Sequence, residues 1–295
     1  MRDEPRSSGV GPDASSLLAR PPGEVADPEL RDLQLAELSI LREFVRVCEA
    51  HGLRYYLAYG SLLGAVRHHG FIPWDNDIDV TMPRDDYNRF AEICASHLRP
   101  GFGWQSYSTE RDYPHLFGKL IDTGTVMRQA PTQHLPFRQS VCIDVFPLDG
   151  LADGPIEELM QRVLIRICRL RLGADVNRVP AKRFLVQLVR ILPRDAAIAA
   201  IETMNRHFPV GRARRWVCVG GPYGHRRQTF PSWWFGPGAT QAFEGLTAVG
   251  PVDFDRYLAQ LYGDYMTPPP HHRASHHETL ELRLEPEREA DLAPR

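Results

Sequence analysis

Apolar residues recur at three- and four-residue spacing from Pro28 onward. Leu30, Leu33, Leu38, Leu41, Phe44, Val45 and Cys48 predict an amphipathic helix that Gly52 ends. "LRYYLAYG" then predicts a strand turning at Gly60-Ser61, and "SLLGAVRHH" a short helix stopped by Gly70. "IPWDNDIDV", Ile72 to Val80, reads as a buried strand carrying acids, and a helix from about Arg84 to Leu98 follows with Tyr87, Phe90, Ile93 and Cys94 inward. "HLFGKLID" and "SVCIDVFPL" predict two further strands. Residues 155–207 are helical in pattern, and the arginines of "RICRLRL" read as side chains snorkelling around a buried stripe. Residues 208–248, aromatic and Gly/Pro-rich around "PSWWFGPG", read as irregular loops, and "DFDRYLAQLYGDY" as a last helix. This order predicts an α/β protein: a disordered tail over 1–25, a core over 26–150, a helical insertion with loops over 151–248, a C-terminal helix returning to the core over 249–280, and a tail over 281–295.

Composition narrows the class. Apolar residues at 43% and charged residues at 24% are ordinary for a soluble globular chain, and a net charge of -2 supplies no overall basic face for nucleic acid. Cys48, Cys94, Cys142, Cys168 and Cys218 stand singly, as small core residues do in a reducing compartment. "MRDEPRSSGVGPDASS" lacks the apolar stretch of a signal peptide, and no run approaches the ~18 apolar residues of a spanning helix. The expectation is a cytoplasmic protein without a transmembrane segment, compatible with peripheral membrane contact.

The acids of "IPWDNDIDV" carry the chemistry. On a strand, Asp75, Asp77 and Asp79 share a face while Asn76, Ile78 and Val80 face away. Same-face neighbours lie about 6.5–7 Å apart, which suits carboxylates converging on one or two divalent ions, and oxygen-only ligands favour Mg²⁺ or Mn²⁺. An exposed, solvated edge strand is the bland alternative, opposed by Ile72, Trp74, Ile78 and Val80. An EF-hand fails, since Val80 stands where Gly is needed and Asp86 where Glu is usual. Gly60-Ser61, between a strand and a helix N-terminus, could receive a phosphate, although a lone Gly-Ser is usually an ordinary turn. Asp144, on a later strand among apolar neighbours, supplies a further carboxylate for a metal shell or for accepting a hydroxyl proton; Asp149, after Pro147, reads as a turn or cap residue.

These stretches resemble a known family. "YGSLLGAVRHHGFIPWDNDIDV" looks like the signature of LicD-type phosphotransferases, relatives of fukutin-related protein with a nucleotidyltransferase fold, and "FGKLIDTGT", "IDVFPLDG" and "YLAQLYGDYMTPPP" match further. The resemblance covers about residues 30–150 and 250–280 and implies a nucleotidyltransferase-like mixed-sheet core with flanking helices. It also implies Mg²⁺-dependent transfer of a phospho-alcohol, such as phosphocholine or phosphoribitol, from a CDP-linked donor to a glycan hydroxyl, with release of CMP. Carried over by position, Gly60 and Ser61 would hold phosphate, Asp77 and Asp79 the metal with Asp75 beside them, Asp144 the third acidic role, and Arg67 and Lys119 would neutralise donor phosphates. Where the family reads W-D-D-D, Asn76 replaces the middle acid. On the alternation argument it faces away from the metal, a defence that holds only if the run is a regular strand.

Three rival functions use the same residues: nucleotidyl transfer from an NTP to a small molecule, sugar transfer at a D-x-D metal site, and non-catalytic binding of an anionic glycan. His271, His272, His276 and His277 have spacings a zinc site could use but read as a polar segment, and Trp233-Trp234 could stack on a sugar or base or simply pack.

Overall fold

The computed structural model describes residues 28–130, 132–172, 189, 191–268 and 279–284. The first helix, α1 (Pro28–His51), buries Leu33, Leu38, Leu41, Phe44 and Cys48. Gly52, at φ +61°, ends it, and the Leu53 N–H returns to the Cys48 carbonyl at 2.9 Å while Leu53 itself is buried. A left-handed residue there satisfies the last carbonyls, which glycine does without a Cβ clash.

After β1 (Tyr56–Leu57) and α2 (Tyr59–His68) come β2 (Asp79–Pro83), α3 (Arg84–His97), β3 (Phe102–Gln105), β4 (Gly118–Asp122), β5 (Val126–Gln129) and β6 (Cys142–Gly150). The helices α4 (Pro155–Leu172) and α5 (Arg194–His207) precede β7 (Arg215–Cys218), β8 (Thr229–Pro231), β9 (Ala239–Phe243) and β10 (Leu246–Gly250). Helix α6 (Phe254–Tyr262) and strand β11 (Thr279–Arg283) complete the described elements. Strands β1, β2, β6, β4 and β3 lie side by side in one seven-stranded sheet, and β7 and β8 extend it from the far half of β6. Only the β2–β6 pairing in this sheet is parallel, so the protein is a mixed α/β structure. The main core joins α1, α2, α3 and α6 to this sheet, and a smaller cluster packs α4 and α5 against Leu116, Leu151 and Val217.

Four expectations change. The strand predicted over 72–80 begins only at Asp79; Ile72 to Asp75 form a turn closed by the Asp75 N–H on the Ile72 carbonyl at 2.9 Å. The 208–248 region contains four strands, β7 to β10, because Trp216, Phe230, Phe235 and Phe243 are buried in the main core. Residues 279–283, placed at the edge of the tail, pair with β5. Asp149 is no turn residue: it lies within β6, 1% exposed, and receives two hydrogen bonds from Arg84 at 2.6 and 2.8 Å. The N-terminal tail and the His271–His277 cluster lie outside the described residues.

Candidate active site

The register of the central strands assembles the site. In the parallel pair Asp79 of β2 stands opposite Asp144 of β6, and in the antiparallel pair on the other side Lys119 of β4 stands opposite the same Asp144. Residues paired across neighbouring strands project from the same face, so the three side chains form one lateral row. Ile78, Val80, Ile143 and Val145, adjacent to the row members in sequence, are fully buried on the opposite face and hold the register. Lys119 Nζ donates to Asp144 Oδ1 at 2.5 Å, and that carboxylate holds the ammonium well above its usual range despite burial.

The Gly60-Ser61 corner is clamped to this row. The Ala58 N–H donates to the Asp79 carbonyl at 3.0 Å, and the Asp79 N–H donates to Ser61 Oγ at 2.8 Å. Tyr59 turns the corner at φ +45°, a strained conformation for a tyrosine, with its hydroxyl on Gln228 Oε1 at 3.0 Å. A Cβ on Gly60 would lie 2.5 Å from Asp75 Oδ2, so only glycine leaves room for that carboxylate.

Asp75 and Asp77 come from the loop before β2, close enough for the charge of one to act on the other. Burial pushes Asp75 well above the ordinary carboxylate range, with the Asp77 charge adding to it; burial does the same for Asp79, reinforced by Asp77 and Asp144. Carboxylates held this way are a site short of positive charge. Asp77, Asp79, Lys119 and Asp144 border a cavity of about 520 Å³, with Phe117 and Phe146 on its wall. Among the described residues no group of three or more His, Cys, Asp or Glu is placed to hold a metal ion by itself. An open, all-oxygen set suits Mg²⁺ or Mn²⁺, since Mg²⁺ keeps several waters and takes one or two carboxylates together with substrate phosphates.

The structure thus brings together Asp75, Asp77, Asp79, Asp144, Lys119, Gly60 and Ser61, though Gly60, Ser61 and Asp75 do not themselves border the cavity. Arg67 is placed elsewhere: its guanidinium donates to the Tyr265 carbonyl at 2.9 Å, tying the end of α2 to the segment after α6. Asn76 is buried, in a loop where strict strand alternation does not apply.

Two features escaped the sequence reading. Arg111, Arg138, Arg169, Arg171 and Arg194 also border the cavity, opposite in charge to its aspartates. Arg194 is held below its ordinary range by burial, with Arg171 and Arg111 among the charges acting on it. Glu37, on the inner face of α1, is fully buried with no hydrogen-bond partner for either carboxylate oxygen. Burial pushes its pKa well up, and Asp77, Asp75, Asp144 and Asp79 each add to the shift. A single signal was available for Glu37: an acid occupying the spacing of the apolar stripe between Leu33 and Leu41.

A sheet-borne row of two acids and a lysine beside an acid-rich loop and a cationic cavity defines a group-transfer enzyme acting on phosphates. The family described as "LicD/FKTN/FKRP, nucleotidyltransferase domain" matches residues 52–142, the stretch from the end of α1 to the start of β6. The lipopolysaccharide cholinephosphotransferase LicD of Haemophilus influenzae is 31% identical over 251 residues, which is 82% of this chain and 92% of that protein. The ribitol 5-phosphate transferases FKRP of Mus musculus and Homo sapiens are each 41% identical over 85 residues, 26% of this chain and 17% of theirs. The chain belongs to the LicD family and is a phosphotransferase of that type.

Proposed function

We propose that the protein transfers a phospho-alcohol, of the phosphocholine or phosphoribitol type, from a CDP-linked donor to a hydroxyl of a glycan or related acceptor. CMP is released, and the core over 26–150 is of the nucleotidyltransferase type. The observation that carries this reading is the row Asp79–Asp144–Lys119 on the margin of a cavity that also holds Asp77 and several arginines. The names of LicD and FKRP support it, since both specify transfer of a phosphorylated alcohol.

In the proposed reaction the acceptor oxygen attacks the phosphorus bearing the alcohol, the bond from that phosphorus to the bridging oxygen breaks, and CMP leaves with the bridging oxygen. Lys119 fixes Oδ1 of Asp144, so Oδ2 takes the proton lost by the acceptor hydroxyl. Asp77 and Asp79, with Asp75 and Asp144 beside them, are the residues to hold Mg²⁺, or Mn²⁺ in its place, which when bound neutralises charge on the donor diphosphate. The arginines of the cavity oppose further negative charge on donor or acceptor. Phe117 and Phe146, with ring centroids 4.3 Å apart, supply an apolar stretch of the cavity wall.

Calorimetric titration with CDP-choline, CDP-ribitol, CDP-glycerol, CTP and UDP-glucose, each with and without Mg²⁺, tests the reading. Mg²⁺-dependent binding of one CDP-alcohol, lost in Asp77→Ala, is the expected result and names the donor. Preference for CTP would move the assignment to nucleotidyl transfer, and preference for UDP-glucose to sugar transfer. Ligand binding indifferent to Mg²⁺ and to Asp77 would leave only a binding module.

A further inference from the structure

Glu37 lies on α1, not on the sheet or the loop that carries the other acids. Its side chain is 0% exposed, and neither carboxylate oxygen has a hydrogen-bond partner. Buried polar groups in folded proteins almost always find one, so an orphaned carboxyl requires an explanation. Among the described residues no side chain pairs with it, yet one turn earlier Gln34, equally buried, donates from Nε2 to the Asp75 carbonyl at 2.9 Å. That bond sets this face of α1 directly against the acid loop. Among the described residues, the buried carboxylates Glu43 and Asp149 are satisfied: Glu43 takes Arg46 at 2.6 and 2.8 Å, and Asp149 takes Arg84. Glu37 is the exception, and it faces the place where a cation is called for.

We propose that Glu37 is a positioning residue of the cation site, setting the charge and placement of the acid loop from α1, while Asp77 and Asp79 would hold the ion. The proposal rests on the reading of those aspartates as cation ligands. Glu37 is not among the residues bordering the cavity, so its role is exerted from behind the inner acids. Residues of this outer kind orient the inner ligands and typically change metal affinity by about 10–100-fold when removed. The arrangement also explains why a glutamate occupies a position of α1 whose neighbours Leu33, Leu38 and Leu41 are core residues.

The test is Mn²⁺ binding followed by electron paramagnetic resonance, on the full chain, with Mn²⁺ alone and with CDP-choline present. Glu37→Gln removes the charge at nearly constant shape and is expected to weaken Mn²⁺ binding about tenfold, while thermal stability without the ion is kept or raised. Glu37→Asp, which withdraws the carboxyl by one methylene, is expected to lie between Gln and wild type, and it decides the matter if the Gln variant does not fold. Mn²⁺ affinity equal to wild type in the folded variants would overturn the role of Glu37 and leave the proposed function standing. A wild-type protein that takes no Mn²⁺ under either condition would overturn both.

Discussion

Strand β6 carries two ion pairs five residues apart, and they do opposite jobs. Asp149 and Arg84 meet in a two-pronged pair with side chains 1% and 9% exposed, away from the cavity. Asp144 and Lys119 meet through one oxygen, at 22% and 16% exposure, on the cavity margin. In the first pair the planar guanidinium engages both oxygens and closes the site to anything else. In the second, the lysine takes one carboxylate oxygen and leaves the other for the proton transfer proposed above. An acid on a strand therefore acquires its role from the partner that the neighbouring strand or helix presents, not from its own identity.

That contrast can be broken from either side. Asp144→Asn should lower kcat by about 10²–10⁴-fold with little change in Tm; a Tm loss as large as that of the Asp149 variant would remove the distinction. Asp149→Ala should do the converse. It strands a buried guanidinium and should cost about 3–5 kcal/mol of stability, seen in urea melts, while kcat of the folded fraction stays near wild type.

The cation-free protein should also respond to pH through the acid cluster. Asp75, Asp79 and Glu37 have folded pKa values above the ordinary carboxylate value of about 4. The folded state therefore binds more protons than the unfolded state, so stability is fully present below pH 4 or so and is lost as pH rises through the folded values. Tm should fall from pH 5 to pH 8, Mg²⁺ should restore it most at the upper end, and Asp79→Asn should flatten the slope. A slope that survives in Asp79→Asn and vanishes in Asp149→Asn would assign it to the wrong pair.

The smallest effect is expected at Gly60→Ala, whose new methyl must displace the Asp75 carboxylate. A loss of about 1 kcal/mol and weaker Mn²⁺ binding are expected, the first read in denaturant melts and the second in the resonance titration.

Much of the site was legible in the sequence because its signals are local. Asp77, Asp79 and Asp144 announce themselves as acids among apolar residues, and Gly60-Ser61 as a corner between two short elements. The run from Ile72 to Ile78 alternates as a strand does, yet a turn and the Gln34 side chain hold it in another conformation. Strands β7 to β10 give no local signal, because Gly and Pro punctuate the region and its aromatic residues, such as Trp216 and Phe230, are buried by distant partners. Arg84–Asp149 and the exposure of Asp144 to Lys119 depend on pairing between strands and helices far apart in sequence, which no local pattern encodes.

The parallel union of β2 with β6 has a consequence for how the molecule is made. Asp79 and Asp144 are 65 residues apart along the chain, and they meet only after α3 and three intervening strands have been laid down. Closing such a loop is entropically slow, and contacts of this separation form late in folding. A nascent chain that has not yet extended past β6 therefore possesses the acid loop and the glycine corner but no complementary half for them. On the proposed mechanism, catalytic competence arrives only with the long-range closure of the sheet.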